Sequence, residues 1–298
     1  MKPAFAPEAR VALQRLVAGG VVVGFLSTGA GLAAPAPASP PDFSPSPNVG
    51  WISYGTDFLP PPSGPGPVLS DHKHPFIPDA VEYRAAQPDL KIEGATTFRV
   101  ADLSNPILQP ATREELPKQN ERVLAGKPGY TRQTACWPLG VPGYLLYPVQ
   151  PVFFVQTAKE VVMITQFDYM VRHVHLNVPH AKDVKPSWFG ESVGHYEGDS
   201  LVVDTIGLND KVYVDNYRTP HTDKLHVTER YHLIDGGKTL QVDVHVEDPG
   251  AFTQPWNAIQ RYRRVEPGPI IEMSCAENNP NYFNHDVEAM PEAKKADF

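Results

Sequence analysis

The chain reads as mainly β: a single antiparallel β-barrel of lipocalin type, or a sandwich, with one short helix and a proline-rich N-terminal arm. Three observations carry this expectation. Proline supplies 33 of the 298 residues, and interior proline removes a helix hydrogen bond and clashes with the preceding turn. From Val149 onward, short runs of β-branched and aromatic residues alternate with turn signals such as Glu197-Gly198-Asp199 and Asp235-Gly236-Gly237. In the run 239–247, Leu240, Val242, Val244 and Val246 alternate with polar residues, which is the period of a half-buried strand.

Taken from the N-terminus, Lys2, Arg10 and Arg15 precede an uncharged stretch over 16–32 that is rich in Val, Leu, Ala and Gly. A basic start, a short apolar stretch and then small residues form the pattern of a secretory signal peptide, here 1–38, cut after Ala33 or Ala38. The alternative, a retained membrane anchor, calls for a longer apolar span. A periplasmic or secreted location follows from cleavage. Loss of residues 1–38 removes a net +2 and moves the formal charge from −8 to about −10. Such a chain lacks the basic footprint of a nucleic-acid binder and has no charge attraction to an anionic membrane, so the expected partner is a small molecule. Cys136 and Cys275 are the only cysteines. In an oxidising compartment an even pair implies one disulfide; buried free thiols are the alternative, and nothing beside either residue suggests a reactive thiolate.

Residues 39–79 are punctuated by Pro40-Pro41, Pro60-Pro61-Pro62 and Pro65-Gly66-Pro67. They read as an arm or linker, with Trp51, Tyr54 and Phe58 as docking points on a domain spanning 80–298. One helix is expected. Thr112 and Glu115 have capping-box spacing, Leu116, Val123 and Leu124 give an apolar side, and Gly126 with Pro128 stops it. Pro117 moves the start to 117 if Thr112 is not the cap. Strands are expected over 152–157, 161–177, 190–196, 200–206, 224–234, 239–247 and 258–265, without helices between them.

Eight of the eleven histidines fall between His173 and His245, and histidine both exchanges protons near neutral pH and ligates metals. Three groups stand out. On a strand, His173 and His175 share a face, and His180 can return from the next turn to complete a zinc or copper site; a solvated face is the bland alternative. The opposite face of that run holds Gln166, Asp168 and Arg172, a polar stripe that lines a pocket if it points inward. In the second group, Asp204, Tyr213 and Asp215 line a barrel mouth, or Asn209 and Asp210 simply make turn hydrogen bonds. The third group is His221, Asp223, His226 and Glu229. Glu229 sits on the apolar face of its strand, so it either pairs with Arg172 or Arg230 or serves as a general acid with a raised pKa. Trp188 and Trp256, with Phe252 and Tyr262, are core or rim aromatics that can also stack on a ligand. Signatures of serine hydrolases, phosphate loops, dinucleotide folds and Cys-x-x-Cys redox sites do not occur.

The segments PSWFGESVGHYEGDSLVVDTIGLND, PHTDKLHVTERY and LQVDVHVEDPGAFTQPW, with CAENN at Cys275, resemble a widespread uncharacterised family of exported bacterial β-rich proteins carrying a GDxLVVDTxGxND…PHTxxLHVxER signature. The similarity covers residues 100–285. It implies a single exported β domain and draws attention to Arg172, His180, Asp204, Asn209, His221, His226 and Glu229 without giving them roles. Gln166 and Asp168 stand where many relatives are expected to carry Glu and Asn.

Together these observations lead to a cofactor-independent acid–base enzyme, a lyase or isomerase acting on a small phenolic, terpenoid or sugar-derived compound in a barrel pocket. His221 or His226 takes the proton, Arg172 stabilises the oxyanion, Asp204 or Tyr213 orients the substrate, and Glu229 is the further acid. Asp168, Asn209, Trp188 and Trp256 bind substrate. The alternatives are a zinc or copper hydrolase built on His173, His175 and His180, and a lipocalin-like binding protein without turnover.

Overall fold

In the computed structural model, nine strands close into one barrel in chain order. The structure describes residues 39–55, 57–73, 99–125, 127, 136–146, 151–166 and 170–272. The segment 1–38 expected to be a signal peptide, Asp168 and Cys275 lie outside these. The strands are β1 (Gly50–Ser53), β2 (Val152–Gln156), β3 (Glu160–Thr165), β4 (Val171–Leu176), β5 (Glu191–Glu197), β6 (Ser200–Ile206), β7 (His226–Ile234), β8 (Thr239–Glu247) and β9 (Trp256–Val265). Closure decides between the barrel and the sandwich expected from sequence. The barrel is not wholly antiparallel, because β4 and β5 pair in parallel, with Val174 opposite Ser192.

The run expected over 161–177 is two strands, β3 and β4, paired antiparallel with Glu160 opposite His175. Its hydrophobic content is continuous, but polar Gln166 falls where the chain bends. A parallel partner for β4 then requires a crossover. Residues 177–190 provide it, and they start with Asn177 in the left-handed region at φ 58. By contrast, β6, β7 and β8 keep the alternation read from sequence. Leu201, Val203, Val227, Tyr231, Val242 and Val244 point inward and are buried.

Part of the expected arm is barrel wall. β1 pairs along β9 from Gly50–Val265 to Ser53–Tyr262 and meets β2 at Trp51–Val152. Trp51 is 1% exposed, and its indole N–H donates to the Phe43 carbonyl at 2.9 Å. Phe43 is fully buried and packs on Phe154, with ring centroids 5.0 Å apart, and edge-on to Tyr231. Beyond β1, Leu59 exchanges backbone hydrogen bonds with Ile259 at 2.9 and 3.1 Å, and Asn257 N–H donates to Pro65 O at 3.0 Å. The proline-rich segment is thereby tied along β9.

The helix, α1 (Pro110–Leu124), starts two residues before Thr112. Pro110 suits the first helical position because its missing N–H has no intrahelical partner there. Thr112 is not the cap: it is buried and donates to Ala251 O at 3.0 Å. Pro117 lies inside the helix rather than at its start. Leu116 and Val123 enter the core. Asn120 grips the Ala101 backbone, accepting from its N–H at 2.7 Å and donating to its carbonyl at 2.9 Å.

Trp51→Ala is expected to lower unfolding free energy by about 3–5 kcal/mol, the cost of emptying a packed aromatic site. Urea denaturation checks this; a loss below about 1 kcal/mol would mark residues 50–53 as a dispensable arm.

Candidate functional site

Inward-facing side chains from the strands join one contiguous hydrophobic cluster, so the barrel axis is a packed core. At its centre is an ion pair. Arg172 (β4) and Glu229 (β7) are 2% and 0% exposed, and Nη2 lies 2.5 Å from Oε2. Every guanidinium donor is engaged: Nε with Ser192 Oγ (3.1 Å), Nη1 with Tyr144 Oη (2.6 Å) and Glu229 Oε1 (3.1 Å), and Nη2 with Thr205 Oγ1 (2.8 Å) and Glu229 Oε2. The hydroxyls of Tyr144 and Tyr231 touch each other and donate to Glu229 Oε1 at 3.0 and 2.9 Å. Burial pushes both phenols well above their ordinary range, so they remain O–H donors. Burial opposes the charge on Arg172, but Glu229 outweighs it and the guanidinium stays charged.

Pairing of Glu229 with Arg172 was one of the two options open from sequence. With all its N–H groups committed, Arg172 has none left for an oxyanion. Both residues therefore organise the core and leave the catalytic set. Tyr144, on the 3₁₀ turn Gly143–Leu146, was not foreseen, because nothing in its local sequence points to a strand 85 residues away.

The outer face carries a different arrangement. Asp204, on the outward side of β6, lies between two imidazoles: Oδ1 is 2.6 Å from His180 Nε2 and Oδ2 is 2.7 Å from His226 Nε2. His180 arrives on the 177–190 crossover. Each ring turns its other nitrogen to a carboxylate, His180 Nδ1 to Glu191 at 2.8 Å and His226 Nδ1 to Glu247 at 3.0 Å. A carboxylate–imidazole chain thus runs Glu191, His180, Asp204, His226, Glu247 across β5 to β8. Partial burial opposes charge on His180, but the hydrogen bonds its ring donates to Asp204 and Glu191 outweigh it and raise its pKa. Burial likewise disfavours the Asp204 carboxylate, yet its hydrogen bonds to His180 and His226 hold its pKa below the ordinary value.

Beside this chain lies a groove of about 410 Å³. Its floor is two cross-strand rows. One is Thr228, His245, Asn257; the other is Val202, Arg230, Asp243, Ile259. Pro61 and Pro62 form the wall. Asp204 lies just outside the lining, opposite Thr228, whose Oγ1 is 3.5 Å from Asp204 Oδ2. The proline segment, Thr228, Asn257 and Glu247 were missed in the sequence; alternation put Thr228 and Glu247 on outer faces without their neighbours, and Asn257 falls just before the strand expected over 258–265.

The remaining candidates are scattered. His173 and His175 are exposed and stacked, with centroids 6.5 Å apart, and His173 pairs with Glu160. His180 faces Asp204 and Glu191 instead, so the three imidazoles do not gather as a ligand set. Among the described residues no group of three or more His, Cys, Asp or Glu is arranged to hold a metal. His221 is buried, with Nδ1 2.9 Å from the Thr222 carbonyl, and stands outside the Asp204 chain. Asp215 does not share a mouth with Asp204: it is buried and accepts from Thr219 N–H and Oγ1 and from Tyr217 N–H. Tyr213 is half-buried and near Arg218. Asn209 accepts from Lys211 N–H at 3.1 Å, as a turn residue does. Trp256 is 1% exposed and packs on Phe58 and Phe252, so it cannot contact a ligand in this state. Trp188 packs on Trp137 beneath Lys211.

Two outcomes are expected. Glu229→Ala, which strands a buried guanidinium, costs about 3–5 kcal/mol in urea unfolding, whereas Arg172→Met with Glu229→Leu recovers most of that loss. An equal loss in the double variant would contradict the pair's structural role. The raised His180 pKa means its bridge stabilises fully below the ordinary value of 6.5 and is lost as pH climbs through the raised one. The depressed Asp204 pKa means its share is present above 3.8 and is lost as pH falls through the lowered one. The stability gap between the native chain and Asp204→Asn is therefore fullest between about pH 4 and 6.5 and narrows above; a gap that widens from pH 7 to 9 contradicts it. Comparison with protein-family models and with curated proteins finds no match to this chain.

Proposed function

We propose that the chain is an exported, cofactor-independent acid–base enzyme, a lyase or isomerase acting on a small phenolic, terpenoid or sugar-derived compound, with its site on the outer face of the barrel. The observation that carries this is the Asp204 carboxylate held between His180 and His226 at 2.6 and 2.7 Å beside a groove. Partly exposed titratable groups with shifted pKa values beside a cleft are what a proton-transfer site requires.

In this scheme Asp204 accepts the Nε2 proton of His226 and fixes the ring's orientation and tautomer, as a carboxylate does in a hydrolase triad. Nδ1 is then the reacting nitrogen. In the neutral ring Nδ1 carries no proton for Glu247, which lies 3.0 Å away; the substrate displaces that carboxylate, and Nδ1 takes a proton from the substrate and returns it to a neighbouring atom in an isomerisation or to the leaving group in an elimination. His180, whose protonated form Asp204 and Glu191 favour, is the positioning residue, and it favours Asp204 as an anion. His221, Arg172 and Glu229, expected in the reacting set from sequence, have no part in it.

Export, membership of the family with the GDxLVVDTxGxND signature, and a Cys136–Cys275 disulfide belong to the same proposal.

On a substrate found by screening phenolic, terpenoid and sugar-derived compounds, His226→Ala and Asp204→Asn are expected to lower kcat/KM by about 10²–10⁴-fold. His173→Ala is expected to stay within about twofold of the native chain. Full activity of His226→Ala would remove the assignment.

A further inference from the structure

We infer that the outer groove is a binding subsite for a sugar-like, polyhydroxylated unit of the substrate; this rests on the acid–base reading of the neighbouring Asp204 chain and narrows its substrate class. The groove stops at Thr228, and His226 stands one row beyond it, opposite Glu247. The unit held in the groove is therefore next to the one that reacts.

The middle of the floor is polar in both rows. Arg230 and Asp243 are cross-strand neighbours in one, and Thr228, His245 and Asn257 make up the other. Both charges already have a partner: Arg230 donates to Glu197, and Asp243 Oδ1 accepts from Gln241 Nε2 at 2.9 Å. An anion drawn to Arg230 would lie beside Asp243, and a cation drawn to Asp243 beside Arg230, so the groove favours neither. Hydrogen-bonding capacity is left over in both senses. His245 donates from Nδ1 to Asn257 Oδ1 at 2.8 Å, which leaves Asn257 Nδ2 as a donor and, in the neutral ring, His245 Nε2 as an acceptor. Asp243 Oδ2 has His232 Nδ1 no nearer than 3.6 Å, and Thr228 Oγ1 has only its long contact to Asp204.

These groups sit on strands about 4.8 Å apart and in rows about 6.5 Å apart, so one hydroxyl cannot reach them all. A ring with several hydroxyls can, because each hydroxyl both donates and accepts. A phenol or a terpenoid alcohol has a single hydroxyl and would cover Arg230 and Asp243 with hydrocarbon, which is costly. Val202 and Ile259, at the ends of their row, and the Pro61–Pro62 wall are left to meet the C–H faces of a sugar ring.

The test is NMR of the Val and Ile methyl groups and Asn side-chain amides of the full chain, with D-glucose, D-galactose, D-mannose and D-xylose as probes and cyclohexanol and benzoate as comparators. At least one sugar is expected to shift Val202, Ile259 and the Asn257 amide with a Kd of about 1–10 mM, and both comparators to bind at least about tenfold more weakly. Asn257→Ala and Asp243→Ala are each expected to weaken that sugar about 3–10-fold. No sugar bound below about 100 mM, a comparator that binds as well, or sugar binding unchanged in both variants overturns the inference. Turnover by His226→Ala keeps this inference apart from the reaction scheme. Full turnover in a variant that still binds the sugar defeats the scheme and leaves the subsite standing. Loss of turnover on a phenol or terpenoid, with no sugar bound by the native chain, does the reverse.

Discussion

The ion pair between Arg172 and Glu229 sets the facing of the barrel. Strand side chains alternate, and slipping one residue would exchange every inward group for an outward one. A guanidinium and a carboxylate that are nearly sealed from water are tolerable only when all their donors and acceptors are met. Ser192, Thr205, Tyr144 and Tyr231 meet them from β5, β6, the 3₁₀ turn and β7. Once Arg172 is inside, His173 and His175 must be outside; once Glu229 is inside, His226, Thr228 and Arg230 must face solvent. The outer site therefore follows from the inner pair.

A single departure from antiparallel pairing completes that site. Because β5 runs parallel to β4, the chain has to cross back over the barrel before β5 begins. This crossover brings His180 onto the outer face, within reach of Asp204 and Glu191. In an antiparallel hairpin a tight turn would have left His180 beside β4, near the other two histidines, where sequence spacing alone suggested a metal. The proline-rich segment acts similarly at the other end: held along β9 by backbone hydrogen bonds at Leu59 and Pro65, it raises Pro61 and Pro62 beside the sheet to form a groove.

Inside and outside thus carry opposite chemistry to that of a ligand-holding barrel. The interior has a satisfied polar centre in a packed apolar core, and every guanidinium donor is used. The outer chain is half-solvated, and carboxylate alternates with imidazole from Glu191 to Glu247. His180 and His226 hold the Asp204 pKa below its ordinary value, and Asp204 and Glu191 raise that of His180. These side chains are partly exposed, so water reaches them.

Much was legible in the sequence by itself. Alternation in 200–206, 226–234 and 239–247 determined which side chains share a face, since the two-residue period is local. Turn residues such as Gly198 and Gly236 separated the strands for the same reason. Proline content excluded a helical bundle, though it also disguised Gly50–Ser53 as part of an arm, because that strand is short and gains its burial from β9 and β2, far along the chain. The apolar face of Glu229 marked it as either paired or a general acid, and only the tertiary structure chose pairing, and with Arg172 rather than Arg230. The closed barrel, the parallel β4–β5 pair, and the meeting of His180, Asp204 and His226 were likewise decided there. Each depends on contacts between residues tens of positions apart, whose geometry is set by packing and strand pairing rather than by local spacing.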